Sequence, residues 1–323
     1  GKVGKPSVPM RLASDGVFSF GLKIGRRSAE LVLIDFNGSV RHERQLTYEA
    51  PIQEEISAFT ENGVQSITSN LTANQSSRIC GLGVAAPCEM WNWPENRRET
   101  ENAFETWRNV DLRTTLSNRT GHPVSLMNDA TAACQAEHTY GRGREFRDYA
   151  YFFVGAFIGG GIALNNAVYE GRQGNAGALG SLRSIGPNGE SMQLVDMASI
   201  HQLELRLREV DLDPRQLWTD PDSWHALSRY VEPWIGQTAQ ELAKAALSTC
   251  SVIDFEAILI DGAFPDDVRE ELVSRVRRYV ITQDTRGLIP PRIEGGSIGR
   301  KARAIGAATQ PINSQFMLNT VLN

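Results

Sequence analysis

Cysteine is scarce in this chain: four in 323 residues (Cys80, Cys88, Cys134 and Cys250), far apart and without a CxxC or CxC pair. That spacing argues against a disulfide framework or a cysteine zinc site and suits a reducing cytoplasm. A basic excess is lacking too. The 33 Lys and Arg are outnumbered by 38 Asp and Glu, for a formal net charge of −5 and a pI near 5.7. Nothing in that balance argues for wrapping nucleic acid. The opening GKVGKPSVPMRL carries no apolar run of the kind a secretory signal needs. Tyr149 to Tyr169 is an uncharged stretch of 21 residues, long enough to span a bilayer. It holds Gly155, Gly159, Gly160, Gly161 and the Asn165–Asn166 pair, and two strands turning on glycine explain it better than a membrane helix. What is present is ordinary globular composition, 41% apolar, 22% charged and 8% aromatic, at a length that favours two lobes over one core.

The apolar pattern is ordered. VFSFGLKI (17–24) reads as a strand, GRRS as a turn and AELVLIDF (29–36) as a second strand, with Asn37–Gly38 turning into a third, VRHERQLTY. Ile56, Phe59, Val64, Ile67 and Leu71 recur near a 3.6 period and predict a helix over 53–72. ICGLGVAA (79–86) follows as a buried strand, then the aromatic loop PCEMWNWPEN, a helix near 111–119, the strand VSLM and the helix DATAACQAEHTY stopped at Gly141. The second half opens in the same way. YAYFFVG (149–155) and FIGGGIALN (157–165) are strands, Asn165–Asn166 turns into AVYEG, and helices are predicted over 191–209, 222–250 and 266–281 around the strand FEAILID. Two copies of a β-meander followed by α/β alternation imply a cleft between them, where ligands usually bind. The expected division is residues 15–138 as a first lobe, with a closing helix at 300–323 packing back onto it, and residues 139–299 as a second. Residues 1–14, basic and carrying Pro6 and Pro9, read as a linker, the tail of something upstream or a disordered terminus.

Four segments in this order, GLKIGRRSAELVLID (21–35), GLGVAAP (81–87), VSLMNDATAACQAE (124–137) and VGAFIGGGIALNNAVYEGRQGNAGALGSL (154–182), resemble the ROK family (repressor, open reading frame, kinase). The resemblance continues through Asp261–Gly262 and the closing GRKARAIGAA. It implies a two-lobed actin-like ATPase (ribonuclease H-like) α/β fold with a central cleft. The family holds sugar kinases and sugar-responsive repressors whose kinase-like lobes follow a winged helix-turn-helix.

The kinase pattern fails where a triphosphate would bind. The family's first hairpin carries an Asp, one residue, then Gly-Gly-Thr, for Mg²⁺ and for close backbone approach to ATP; here the run is Lys23-Ile24-Gly25-Arg26-Arg27. Phosphoryl transfer leans on Mg²⁺ and positioning, so this loss is hard to reconcile with ATP chemistry. Lys23, Arg26 and Arg27 read either as solvent-exposed turn cations or as a cluster that attracts an anion such as a phosphosugar. At the second hairpin the family's Gly-Thr-Gly is replaced by Gly155-Ala156-Phe157. The glycines Gly159–Gly161 that follow serve either that loop or a tight strand crossing.

The sugar side is better kept. Asn128–Asp129 matches the family pair in which the Asp takes the proton of the attacking hydroxyl and the Asn bonds its neighbour; an Asp before an Ala-rich helix is also a favoured N-cap. The family's Ala-Gly-Glu-x-Gly-His becomes Ala176-Gly177-Ala178-Leu179-Gly180-Ser181, so Glu and His are gone, and the cysteine-rich zinc segment is replaced by RSIGPNGESMQL. No zinc is therefore expected. Asn175, Ser181 and Arg183 stand in as donors and acceptors or simply stabilise a turn. In PCEMWNWPEN, Trp91 and Trp93 share a face if extended, and Glu89 and Trp93 are candidates for stacking and bonding a sugar, or the tryptophans are core anchors.

These readings converge on a cytoplasmic sugar-sensing effector and dimerisation domain of a ROK-type regulator. It would use no cofactor and would reach DNA only through a helix-turn-helix absent from these residues. The alternative is an ATP- and Mg²⁺-dependent sugar kinase with Asp129 as general base; a third reading is a structural protein with an empty cleft.

Overall fold

A computed structural model describes residues 11–87, 106–220 and 223–317. The strands are β1 (Phe18–Ile24), β2 (Ser28–Asp35), β3 (Val40–Thr47), β4 (Ile79–Ala86), β5 (Val124–Asn128), β6 (Tyr149–Val154), β7 (Ile158–Leu164), β8 (Ala167–Val168), β9 (Arg183–Ile185), β10 (Ser191–Gln193), β11 (Ala257–Gly262) and β12 (Arg292–Gly295). Two five-stranded sheets run in the orders β3-β2-β1-β4-β5 and β12-β11-β6-β7-β8. Read from the meander outward they are the same sheet twice: an antiparallel triplet whose first strand pairs in parallel with a fourth, which pairs in parallel with a fifth. The sequence-level duplication is thus a duplication of topology.

The central strands explain the continuous apolar runs. Every residue of β1 and of β6 is buried, as expected of strands covered on both faces, whereas β3 alternates at its edge. Both meander turns follow their chemistry. Gly38 adopts φ +80, and Asn165 and Asn166 adopt φ 54 and 60, the left-handed pair that a tight hairpin turn requires.

The longer helices are α1 (Gln53–Ser69), α2 (Leu112–Thr120), α3 (Asp129–Tyr140), α4 (Ile200–Arg208), α5 (Ser228–Cys250), α6 (Asp266–Thr282) and α7 (Ala302–Phe316). α7 packs against β1, β4 and α3, and α3 lies in turn on β7. Two glycines set how close these layers come. A Cβ on Gly83 would stand 1.7 Å from the Ala307 carbonyl oxygen, and one on Gly306 would stand 1.7 Å from that of Ala132. The helices can therefore sit directly against backbone, and interiors packed at this density transmit small shifts rather than absorbing them. Two parts of the sequence expectation need correction. The region expected as helix over 191–209 begins as strand β10, paired with β9, before a helical turn at Leu194–Ala198 and then α4, and β12 had no counterpart. Among the described residues no helix is long and apolar enough to cross a membrane.

Candidate functional site

A cavity of about 720 Å³ opens between the sheets, within the roughly 300–1,000 Å³ range of small-molecule sites. The β5–α3 junction supplies Asn128, Asp129 and Ala130 to its wall. Here the N-cap is Asn128, not Asp129: its Oδ1 accepts from Ala130 N at 3.0 Å and Thr131 N at 3.2 Å. With the helix capped by its neighbour, the Asp129 carboxylate is turned to other work. Its Oδ2 accepts from Arg303 Nη1 at 3.2 Å, and the Arg303 guanidinium lies 4.9 Å from the centre of the Phe153 ring. Arg303, from the first turn of α7, also lines the cavity and is 8% exposed.

The opposite wall comes from the loop before β9 and from the β9–β10 pair, which bring Asn175, Ala178, Ser181, Arg183, Gln193 and Asp196 to the cavity. Gly177 does not line it. At φ +75 a Cβ there would meet the Gly161 backbone at 2.7 Å, so its part is to let this loop close onto β7. Gly159 and Gly161 likewise allow strand–helix approach: Cβ atoms on them would lie 2.8 Å from Ala130 Cβ and 2.6 Å from Cys134 Cβ of α3. Glu89 and Trp93 lie outside the described residues.

The first hairpin does not leave its cations exposed to solvent. Lys23 is buried, not exposed. It stands opposite Glu30 in the β1–β2 register, and its ammonium donates to Ser28 Oγ at 2.7 Å and to Glu30 Oε1 at 3.0 Å. Burial pushes the Lys23 ammonium down to about 8, against the attraction of Glu30. Burial alone would raise Glu30, but Lys23 and Arg303 hold its carboxyl below the usual range. Arg27 is also mostly covered: it donates to the Glu49 carbonyl at 2.9 Å and pairs with Glu204 of α4 at 3.5 Å. Arg26, 5% exposed, places its guanidinium 4.7 Å from the centre of the Phe157 ring. Phe157 in turn meets the His201 ring edge-on at 5.5 Å.

The residues that break the kinase pattern therefore contact one another. The turn at Gly155–Phe157 is tied to α4 through its carbonyls, with Ile200 N on Gly155 O at 3.0 Å and His201 N on Ala156 O at 3.1 Å. Glu204, 1% exposed, gathers His201 Nδ1 at 3.2 Å, the Trp218 indole N–H at 2.7 Å and Arg27. Burial alone would raise the Glu204 carboxyl, but His201, Arg27 and Trp218 hold it below the usual range.

Magnesium-bound triphosphate does not fit the groups present here. The metal position of the family's hairpin is held by the Lys23 ammonium, and a Cβ on Gly25 would lie 2.7 Å from Lys23 Cε, so the space beneath that turn is filled by the chain itself. The carboxylates that line the cavity are Asp129, at the start of α3, and Asp196, in the helical turn Leu194–Ala198.

Of the residues singled out from sequence, Gly25, Arg26, Asn128, Asp129, Phe157, Asn175 and Ser181 meet at one cavity, while Lys23 and Arg27 are turned into ion pairs and Gly155 into a helix-bearing turn. Arg303 and Phe153 were missed. The Lys23–Glu30 pair was not read from the sequence, although a tight GRRS turn between the two strands sets those residues opposite one another.

The chain belongs to the ROK family, whose profile matches residues 19–192. The N-acetylmannosamine kinase of Haemophilus influenzae (strain PittEE) is 26% identical over 204 residues, 61% of this chain and 66% of that kinase. Among solved structures, a ROK family glucokinase from Streptomyces griseus in complex with glucose and AMPPNP superposes with a TM-score of 0.71 at 19% identity, covering 90% of this chain and 98% of that one. A ROK family transcriptional regulator, a homologue of the E. coli MLC protein, superposes with a TM-score of 0.63 at 19% identity, over 91% of this chain and 77% of that one. The fold is accordingly the two-lobed actin-like α/β fold of these proteins.

Proposed function

We propose that this chain is the sugar-sensing effector domain of a ROK-type transcriptional regulator and binds a carbohydrate between its lobes without phosphorylating it. One observation carries the reading: the two turns that would bracket a triphosphate are filled by the chain's own side chains, Lys23 on Glu30 and Arg26 on Phe157. The sugar-side wall keeps an open cavity with Asn128, Asp129, Asn175 and Ser181. Asp129 then serves as a hydrogen-bond acceptor for a hydroxyl, and the amide of Asn128 serves as a donor. A ligand acts by population shift, which requires that it bind one arrangement of the lobes better than the other. On this reading the chain acts in the cytoplasm as a homodimer or larger homo-oligomer, and DNA is contacted by a helix-turn-helix that precedes these residues.

Calorimetry against neutral sugars, amino sugars, sugar acids and phosphosugars tests the reading. Binding of one class, weakened by Asp129→Ala, is the expected result; no heat from any of them overturns it. Asp129 at the β5–α3 junction also favours a second reading, a sugar kinase with Asp129 as general base. Sugar-dependent release of ADP distinguishes the two.

A further inference from the structure

Arg303 changes the charge of the sugar-side wall. Its Nη1 is taken by Asp129, while Nε is buried with no hydrogen-bond partner and Nη2 donates to no described residue. A buried guanidinium nitrogen without an acceptor costs on the order of 1–3 kcal/mol, which a ligand acceptor recovers. The first turns of α3 and α7 both reach this wall, through Asn128–Ala130 and Arg303, and each brings the partial positive charge of a helix N-terminus. Arg183 of β9 lines the same cavity and is exposed, with no ion pair among the described residues. The acid and imidazole that the family resemblance places here are Ala178 and Ser181. The wall lacks the carboxylate that the resemblance places at Ala178; of the two acids that line it, Asp129 is paired with Arg303 and Asp196 accepts from the Gln193 N–H, while Arg26, Arg183 and Arg303 bring three guanidinium groups.

We infer that the ligand is a sugar acid, a carbohydrate carrying a carboxylate, and that Arg303 selects it. This rests on the sensor reading above and names the ligand class of the same cavity. With Nη1 committed to Asp129, the edge of the guanidinium left over is the Nε–Nη2 fork, which matches the two oxygens of a planar carboxylate. A phosphate dianion would bring two negative charges to a wall that already holds Asp129 and Asp196, where a carboxylate brings one. A neutral hydroxyl occupies a single donor and leaves the other unsatisfied.

The test is calorimetry of the full chain with hexuronates and aldonates, with their neutral parent hexoses and with hexose phosphates, repeated on Arg303→Gln. We expect at least one sugar acid to bind about tenfold or more tightly than its neutral parent, with that preference lost in R303Q. A neutral sugar binding as well as its acid, a phosphosugar binding best, or an acid preference that survives in R303Q each overturns the inference and leaves the sensor reading intact. No binding by any sugar overturns both. The wild-type comparison of acid and neutral parent decides the matter even where R303Q fails to fold.

Discussion

The two ends of the cleft are built from the same kinds of residue and put them to opposite use. At the hairpin end, Lys23 and Arg27 are matched to carboxylates inside the chain, Glu30 and Glu204, and Arg26 lies against the Phe157 ring where the hairpin meets the cavity. Two of those partners, Phe157 and Glu204, lie beyond the first sheet, so the residues that depart from the kinase pattern also fasten one lobe to the other. At the Asp129 end, Arg303 and Asp129 satisfy each other only in part, and Arg183, exposed and with no ion pair among the described residues, lines the same cavity. Charge that is fully matched inside the fold supplies stability. Charge that is half matched at a cavity wall is available to a ligand.

The comparison can be broken by separating stability from binding, and the largest effect is expected at Glu204. Glu204→Ala leaves Arg27, His201 and the Trp218 N–H without their shared acceptor, and we expect a loss of about 3–4 kcal/mol in urea unfolding. Sugar affinity measured in the folded protein should stay within about threefold. A variant that unfolds like wild type but loses ligand would place the hairpin end in the binding site.

Asp261 gives an internal control away from the cleft. It is fully buried on β11, and it accepts from Tyr151 Oη and Arg269 Nη1, each at 3.2 Å, and from Gly299 N at 2.8 Å. Burial, with the nearby Glu137 carboxylate, pushes its carboxyl up from 3.8 to about 6. A group whose folded value is raised gives stability that is present at low pH and is lost as pH rises through that value. Wild type should therefore gain about 2 kcal/mol relative to Asp261→Asn as pH falls from about 7.5 to 4.5. Parallel pH profiles for the two proteins would show that Asp261 keeps an ordinary value.

A smaller effect sharpens the account of the first hairpin. Glu30→Ala should cost about 1–2 kcal/mol, less than a fully buried pair because Glu30 keeps some solvent contact. The double change Lys23→Met with Glu30→Met should fall within about 1 kcal/mol of wild type, since neither charge is then stranded. Equal losses in the single and double variants would mean that the pair does not act as a unit.

Much of the fold was legible because local chemistry and burial agree. The largely apolar β1 and apolar β6, the Asn-Gly and Asn-Asn turns and the periodic α1 each announce themselves. The short strands β9, β10 and β12 did not, because three or four residues such as Arg183–Ile185 carry no readable alternation and owe their state to pairing. At the site, Asn128 and Asp129 were found through the motif, but their roles were sorted only by geometry, since either side chain is a competent cap. Of the two readings of the first-hairpin cations, solvent exposure does not hold. Charge at a turn usually faces water, and here each finds its partner across a strand pair or across the cleft. Arg303 was invisible for a simpler reason: it stands 174 residues from Asp129, within an alanine-rich helix whose sequence gives no hint of a cleft.

The most direct measurement is ADP release with Mg²⁺–ATP across the sugar panel, run beside calorimetry of the nucleotide alone. The account predicts no sugar-dependent turnover above background and no ordered nucleotide binding, from a protein that still binds a sugar. Turnover that requires a sugar and disappears in Asp129→Ala would contradict it.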